Sequence, residues 1–114
     1  MTARETAREQ EVKQLIISTI LKAKDLLDGH YIFFFGSRVL NNHNSRSDFD
    51  IGIDGESPLN LKLFYALKDR LESIETLYKL DLVDMQSVSP SFRDQAMKKI
   101  EVICDYRNNP SEKF

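Results

Sequence analysis

The sequence predicts an α+β domain, a small mixed β-sheet with helices packed on it in a sandwich-like arrangement. Three observations carry this. A long amphipathic stretch opens the chain. Short apolar runs bounded by glycine or carrying alternating carboxylates follow it. Two Ser-Pro helix starts are interleaved with those runs. The expected element order is α-β-loop-β-α-β-α-β, one domain over residues 1–106 with a loose tail over 107–114.

Each element has its own signal. Val12, Ile16, Ile20, Ala23 and Leu27 recur at helical spacing inside 1–28, so one long helix is expected over 2–28. Thr2 stands as its cap, and Asp28-Gly29 as its stop. Tyr31-Ile32-Phe33-Phe34-Phe35 is too short for a helix and reads as a buried strand. Residues 38–47 are polar and loop-like, and 48–54 alternate carboxylate with apolar residue, as a strand with unlike faces does. Ser57-Pro58 opens a helix whose inner face is Phe64, Leu67, Leu71 and Ile74. Residues 80–85 form a third strand. Ser89-Pro90 opens a short helix with Phe92, Ala96 and Ile100 inward, and 102–104 form a last strand.

Composition narrows the function classes. The chain has 114 residues, 16 Lys+Arg against 18 Asp+Glu, and a formal charge of −2, so no basic footprint argues for nucleic acid. The single cysteine, Cys104, excludes an internal disulfide and fits a reducing, cytoplasmic setting; in its apolar run it reads as a small buried hydrophobe. No apolar run reaches the length of a membrane span, and the polar N-terminus is unlike a signal peptide. No pair of histidines stands at zinc spacing, and no Ser/His/Asp triad can be assembled.

The informative segment runs from Gly36 to Asp50. Asp48 and Asp50 are two apart on a strand, so their carboxylates share a face and repel unless a cation lies between them. A hard divalent cation such as Mg²⁺ suits oxygen ligands and typically takes one or two carboxylates plus substrate phosphates. Gly36-Ser37 ends a buried strand where backbone can approach a ligand closely. Arg38 adds a cation able to pair with phosphate. A third carboxylate would complete a two-metal site. Asp81 and Asp84 are three apart and face opposite sides of their strand, so only one can join, and spacing leaves open which.

Other polar residues have plainer readings. A lone Asp-x-Asp is usually a solvated face; the spaced set outweighs that here. Asp54, before Gly55, reads as a turn residue, and Asp84 as a solvated or helix-facing carboxylate. His43 and Arg46 read as solvated loop residues, and His30 as a partner of helix-end carbonyls. Arg4, Arg8 and Lys13 are interleaved with acids, as on a solvated helix face. The long helix offers its apolar side as a second place for a partner.

Gly36-Ser37, ten residues and then Asp48-x-Asp50 resemble the signature of the polymerase-β-like nucleotidyltransferase superfamily. FFFGSR…RSDFDIGI carries the core of the match, and LDLVDM resembles the strand bearing the family's third carboxylate, which falls on Asp81. The small size resembles the minimal nucleotidyltransferase (MNT) branch. The resemblance covers about residues 30–104. It implies two Mg²⁺ ions on the triphosphate of ATP, attack of an acceptor hydroxyl on the α-phosphate, and loss of pyrophosphate. Asp48 and Asp50 would hold both metals and Asp81 the one nearest the attacking oxygen. Gly36, Ser37, Arg38 and Ser47 would form the nucleotide-binding set. The MNT branch pairs with a HEPN-type toxin as its antitoxin and adenylylates a tyrosine of it. Larger relatives carry a further domain for a small acceptor. This length has no room for one, so a protein partner is expected to supply the acceptor. The chain departs from many relatives in having Val39-Leu40-Asn41 where they have Ala-Arg-Gly. That departure keeps a second expectation alive, an antitoxin that neutralises by contact alone.

Overall fold

A computed structural model of the protein describes residues 3–40 and 48–107. Four strands make one mixed sheet in the order β3-β2-β1-β4, with β1 His30–Phe35, β2 Phe49–Gly55, β3 Leu80–Asp84 and β4 Glu101–Asp105. β1 pairs antiparallel with both β2 and β4, while β2 and β3 run parallel. The parallel pair is joined by helix α2, Leu61–Glu72, because parallel strands need a crossover. Helix α1 is Ala3–Lys22 and helix α3 Pro90–Ala96. This is the α+β architecture and element order read from the sequence. Among the described residues no helix is long and apolar enough to cross a membrane.

Alternation along β1 and β2 divides the core in two. Ile32, Phe34, Phe49, Ile51 and Ile53 face α1 and α2, where Val12, Ile16, Ile20, Ala23, Leu27, Leu67 and Leu71 are buried. Tyr31, Phe33 and Phe35 point the other way, onto Met85, Ala96, Met97 and Ile100. The helical faces expected of α1 and α2 are thus the buried ones.

Two helix boundaries and one inward-facing residue differ from expectation. The first helix stops at Lys22, and a 3-10 turn over Lys24–Leu26 replaces its end. Ala23, Leu26 and Leu27 each donate to the carbonyl three residues back, a tightening that still seats Leu27 in the core. The second helix starts at Leu61, capped by Asn60, whose side chain accepts from the Lys62 amide. Ser57-Pro58 does not wind into it, because the Ser57 carbonyl faces His30 Nε2 at 2.9 Å and the Leu59 amide donates to Asp84 Oδ2 at 2.8 Å. The other His30 nitrogen lies 2.9 Å from the Asp28 carbonyl, so the imidazole bridges two connections as well as serving a helix end. The third helix keeps its expected Ser89 cap and Pro90, but Phe92 stays 44% exposed, edge-on to Phe35.

Asp54 is not a turn residue. β2 continues through Gly55, and Asp54 is buried, 3% exposed, with Arg93 Nη1 and Nη2 donating to it at 2.8 and 2.6 Å. Gln86 Nε2 donates at 2.8 Å and the Tyr31 hydroxyl at 3.1 Å. Asp84 takes the helix-facing of its two expected placements. It is buried on the α1/α2 side, accepting from Leu59 and Gln86 amides. Cys104 is half-buried against the larger core cluster, and burial raises its thiol pKa.

Candidate functional site

The site is built at one end of the sheet, where β1 stops and β2 begins. Asp48 stands immediately before β2, and Asp50 is its second residue. Asp50 is opposite Phe35 on one side and Asp81 on the other. Paired residues of neighbouring strands share a face about 4.8 Å apart, so the Asp81 carboxylate stands beside that of Asp50. Asp84 is paired with Ile53, on the opposite face. Parallel register therefore separates the two acids that spacing alone could not.

Three carboxylates meet here, and their charges are felt. Asp50 is pushed up to about 6, first by partial burial, then by the charges of Asp81 and Asp48, against a downward pull from Arg38 and Lys79. Among the described residues no group of three or more His, Cys, Asp or Glu stands where it could hold a metal ion. Mg²⁺ needs only one or two carboxylates from the protein and completes its octahedron with waters and phosphate oxygens, so the Asp50–Asp81 pair would be the set to hold it. The donors present are carboxylate oxygens in mutual repulsion, which suits a hard cation.

Gly36 ends β1 with φ +80°, a left-handed conformation that glycine adopts without steric cost. A Cβ there would also run into the Asp50 carboxylate. The Gly36 carbonyl accepts from the Val39 and Leu40 amides, both at 3.1 Å, so a single helical turn follows the strand and carries Ser37, half-buried. Gly36→Ala is expected to lose about 1–3 kcal/mol from backbone strain and to displace Asp50. Denaturant unfolding reads the first effect. A change below about 0.5 kcal/mol, within the ordinary range of surface substitutions, would show that the turn is not bound to glycine.

Arg38 lies among protein groups. Its guanidinium lies 4.0 Å from the centre of the Phe49 ring and 5.0 Å from that of Tyr78. Nε donates to the Asp48 carbonyl at 3.2 Å, and Nη1 is 3.3 Å from Glu9 Oε1 on α1. Protein groups thus occupy the cation expected to face phosphate. Val39 packs against the larger core cluster, while Leu40 is 51% exposed. Ser47, expected in the nucleotide-binding set, lies outside the described residues, as do Asn41, His43 and Arg46.

A cleft of about 400 Å³ opens beside Asp50. Its floor includes Phe34, Phe35 and Phe49, and its walls come from Glu9 and Lys13 of α1 and from Lys99 to Glu101. Lys13 is held there by Glu101, 2.8 Å away. Sequence reasoning missed Glu9, Phe49 and Tyr78 as neighbours of the acid pair. The one available signal was the aromatic residue between the two aspartates, which alternation turns to the opposite face.

Comparison with known proteins finds matches in both sequence and structure. A family model described as polymerase beta, nucleotidyltransferase, matches residues 14–109. The chain is 30% identical over 98 residues to the "Probable protein adenylyltransferase MntA" of Haemophilus influenzae, covering 86% of this chain and 83% of that protein. It is similar in structure to a toxin-antitoxin with AMP-PNP, at TM-score 0.55 and 23% identity over 78% of this chain and 73% of that one. It is also similar to a complex of tri-AMPylated Shewanella oneidensis HEPN toxin with MNT antitoxin, at TM-score 0.57 and 22% identity over 88% and 76% of the two chains.

Proposed function

The chain belongs to the polymerase beta nucleotidyltransferase family, and we propose that it is an antitoxin that transfers AMP from ATP to a hydroxyl of a HEPN-type toxin. The observation that carries this is the register Asp50–Asp81 on neighbouring strands, with the Gly36 turn against Asp50 and the charge of Asp48 reaching it. Pure binding would need no such paired carboxylates.

In this reading Asp48, Asp50 and Asp81 would hold the two Mg²⁺ ions, which would supply charge neutralisation of the triphosphate and activation of the acceptor hydroxyl. The chain's own residues do the rest by position. The turn after Gly36 brings backbone amides and the Ser37 hydroxyl to the end of β1, the side from which β- and γ-phosphates would be held, with Ser47 completing the set. The acceptor hydroxyl gives up its proton to solvent, its oxygen bonds to the α-phosphorus as the bond from that phosphorus to the α–β bridging oxygen breaks, and pyrophosphate leaves. A tyrosine is the acceptor this reading favours, and the cytoplasm the setting. The MntA similarity and the AMPylated toxin beside an MNT antitoxin support the choice of nucleotide and partner.

A second reading is neutralisation by contact alone. The half-exposed Leu40 beside the site, where many relatives carry arginine, favours it. Label transfer from α-³²P-ATP with Mg²⁺, in the presence of the co-expressed toxin, separates the two. Wild type is expected to label the toxin, and the Asp48→Ala/Asp50→Ala double variant to lose both label and neutralisation. Neutralisation retained without label in either protein would sink the enzymatic reading.

A further inference from the structure

We propose that Arg38 is a positioning residue, which fixes the direction of the Asp48–Asp50 pair by gripping the chain between them, and is not a phosphate ligand. The residues that hold it lead to this. Its side chain is 9% exposed. Nε donates to the Asp48 carbonyl at 3.2 Å, and the guanidinium plane covers the ring of Phe49, the next residue, at 4.0 Å. One side chain therefore holds the backbone of the first acid and the ring preceding the second.

The grip is itself anchored. Phe49 is buried and meets Tyr78 edge-on, with centroids 5.4 Å apart, and Tyr78 also lies beneath the guanidinium. Nη1 is 3.3 Å from Glu9, whose side chain is 10% exposed on α1. The Phe49 amide donates to the Lys79 carbonyl at 3.0 Å, which ties the same point to the start of β3, two residues before Asp81. Arg38 thus joins α1, the turn after β1 and the beginnings of β2 and β3. Arginine suits this task because it offers a planar face and a fork of donors together; lysine carries the charge alone. The guanidinium lines the cleft beside Asp50 and its charge reaches that carboxylate, but Nε and Nη1 are directed to the Asp48 carbonyl and to Glu9 rather than offered to a triphosphate.

Arg38→Lys and Glu9→Gln test this with two readouts. The first is hydrogen exchange of the Phe49 amide, which needs no enzymatic activity. The second is the split between kcat and KM for ATP, which rests on the nucleotidyl-transfer reading above. In Arg38→Lys exchange at Phe49 should quicken about tenfold or more, and kcat should fall by about the same factor with KM within about threefold, as for a misplaced catalytic group. Glu9→Gln should move both in the same direction by less. A rise in KM with exchange unchanged would overturn the proposal and make Arg38 a phosphate ligand. So would tighter ATP binding in Glu9→Gln, the result expected if Glu9 merely competes with phosphate for the cation. No change in either readout overturns it as well. Should wild type transfer no nucleotide, the transfer reading fails, and exchange at Phe49 alone decides on Arg38. Should Arg38→Lys not fold, Glu9→Gln carries the test.

Discussion

Asp50→Asn is expected to abolish nucleotidyl transfer and, at the same time, to raise the melting temperature. The wild-type carboxylate is half-buried beside Asp81 and Asp48 and titrates at about 6. Its folded pKa lies above the unfolded value, so the folded state holds a proton that the unfolded state has already released. Stability contributed by the protonated form is complete below about pH 4 and is lost as pH rises through about 6. Two pKa units would be worth nearly 3 kcal/mol in a sealed interior; with half the group open to water, about 1 kcal/mol is a fairer size. In a domain of this length that is about 5 °C. Asparagine removes the repulsion at every pH. Its stability profile should be flat between pH 4 and 6 where wild type declines, and the gain should be largest above pH 6. Mg²⁺ should raise the wild-type melting temperature in the same range and leave Asp50→Asn little changed. Melting curves across pH 4–8, with and without Mg²⁺, check this. An Asp50→Asn protein less stable than wild type at pH 8 would show that the carboxylate is satisfied by protein groups rather than kept for a ligand. A residue that lowers stability in the folded protein and supplies the chemistry is the usual trade at a functional site.

Much of this site was legible because spacing on a strand is strict. Asp48 and Asp50 share a face by parity, and the turn at Gly36 follows from a glycine at the end of an apolar run. The buried faces of α1 and α2 were legible for the same reason, since a 3.6-residue period reports burial directly. What spacing does not contain is register between strands. Asp81 and Asp84 became distinguishable only when β3 was laid parallel to β2 with Asp81 at Asp50. The start of α2 was misjudged because Ser57-Pro58 is a sound local signal overruled from a distance. His30 and Asp84 take the groups that would have entered the first turn. The surroundings of Arg38 were hidden for the same reason. Its partners Glu9 and Tyr78 lie far from it in the chain, and only folding brings them together.

Asp54 shows how far a partner can reverse the behaviour of one residue type. It stands four residues beyond Asp50 on the same face of the same strand, yet its carboxyl is held at about 2. Burial pulls it upward here too. The Arg93 hydrogen bonds, with those from Gln86, the Gly55 backbone and Tyr31, outweigh that pull. Its folded pKa lies below the unfolded value, so its contribution is present above about pH 4 and is lost as pH falls toward about 2, worth about 2–3 kcal/mol. Asp54→Ala should cost about 2–4 kcal/mol at neutral pH, because it strands the buried Tyr31 hydroxyl and removes charged hydrogen bonds, while Arg93, whose side chain is 36% exposed, regains part of its hydration. Against a total of about 5–15 kcal/mol for a small domain, that is enough to leave a substantial unfolded fraction in the weakest case. Arg93 belongs to α3, so the loss removes one of the ties that seat that helix on the cluster of Tyr31, Phe33 and Phe35. Asp54→Asn keeps the shape without the charge and should still cost about 1.5–3 kcal/mol, the worth of hydrogen bonds to an ionised group. The same substitution therefore stabilises at position 50 and destabilises at position 54. Urea unfolding of the two asparagine variants at pH 7.5 reads both signs in one experiment. Equal signs would show that the arginine at one end and the clustered acids at the other do not decide the fate of these two carboxylates.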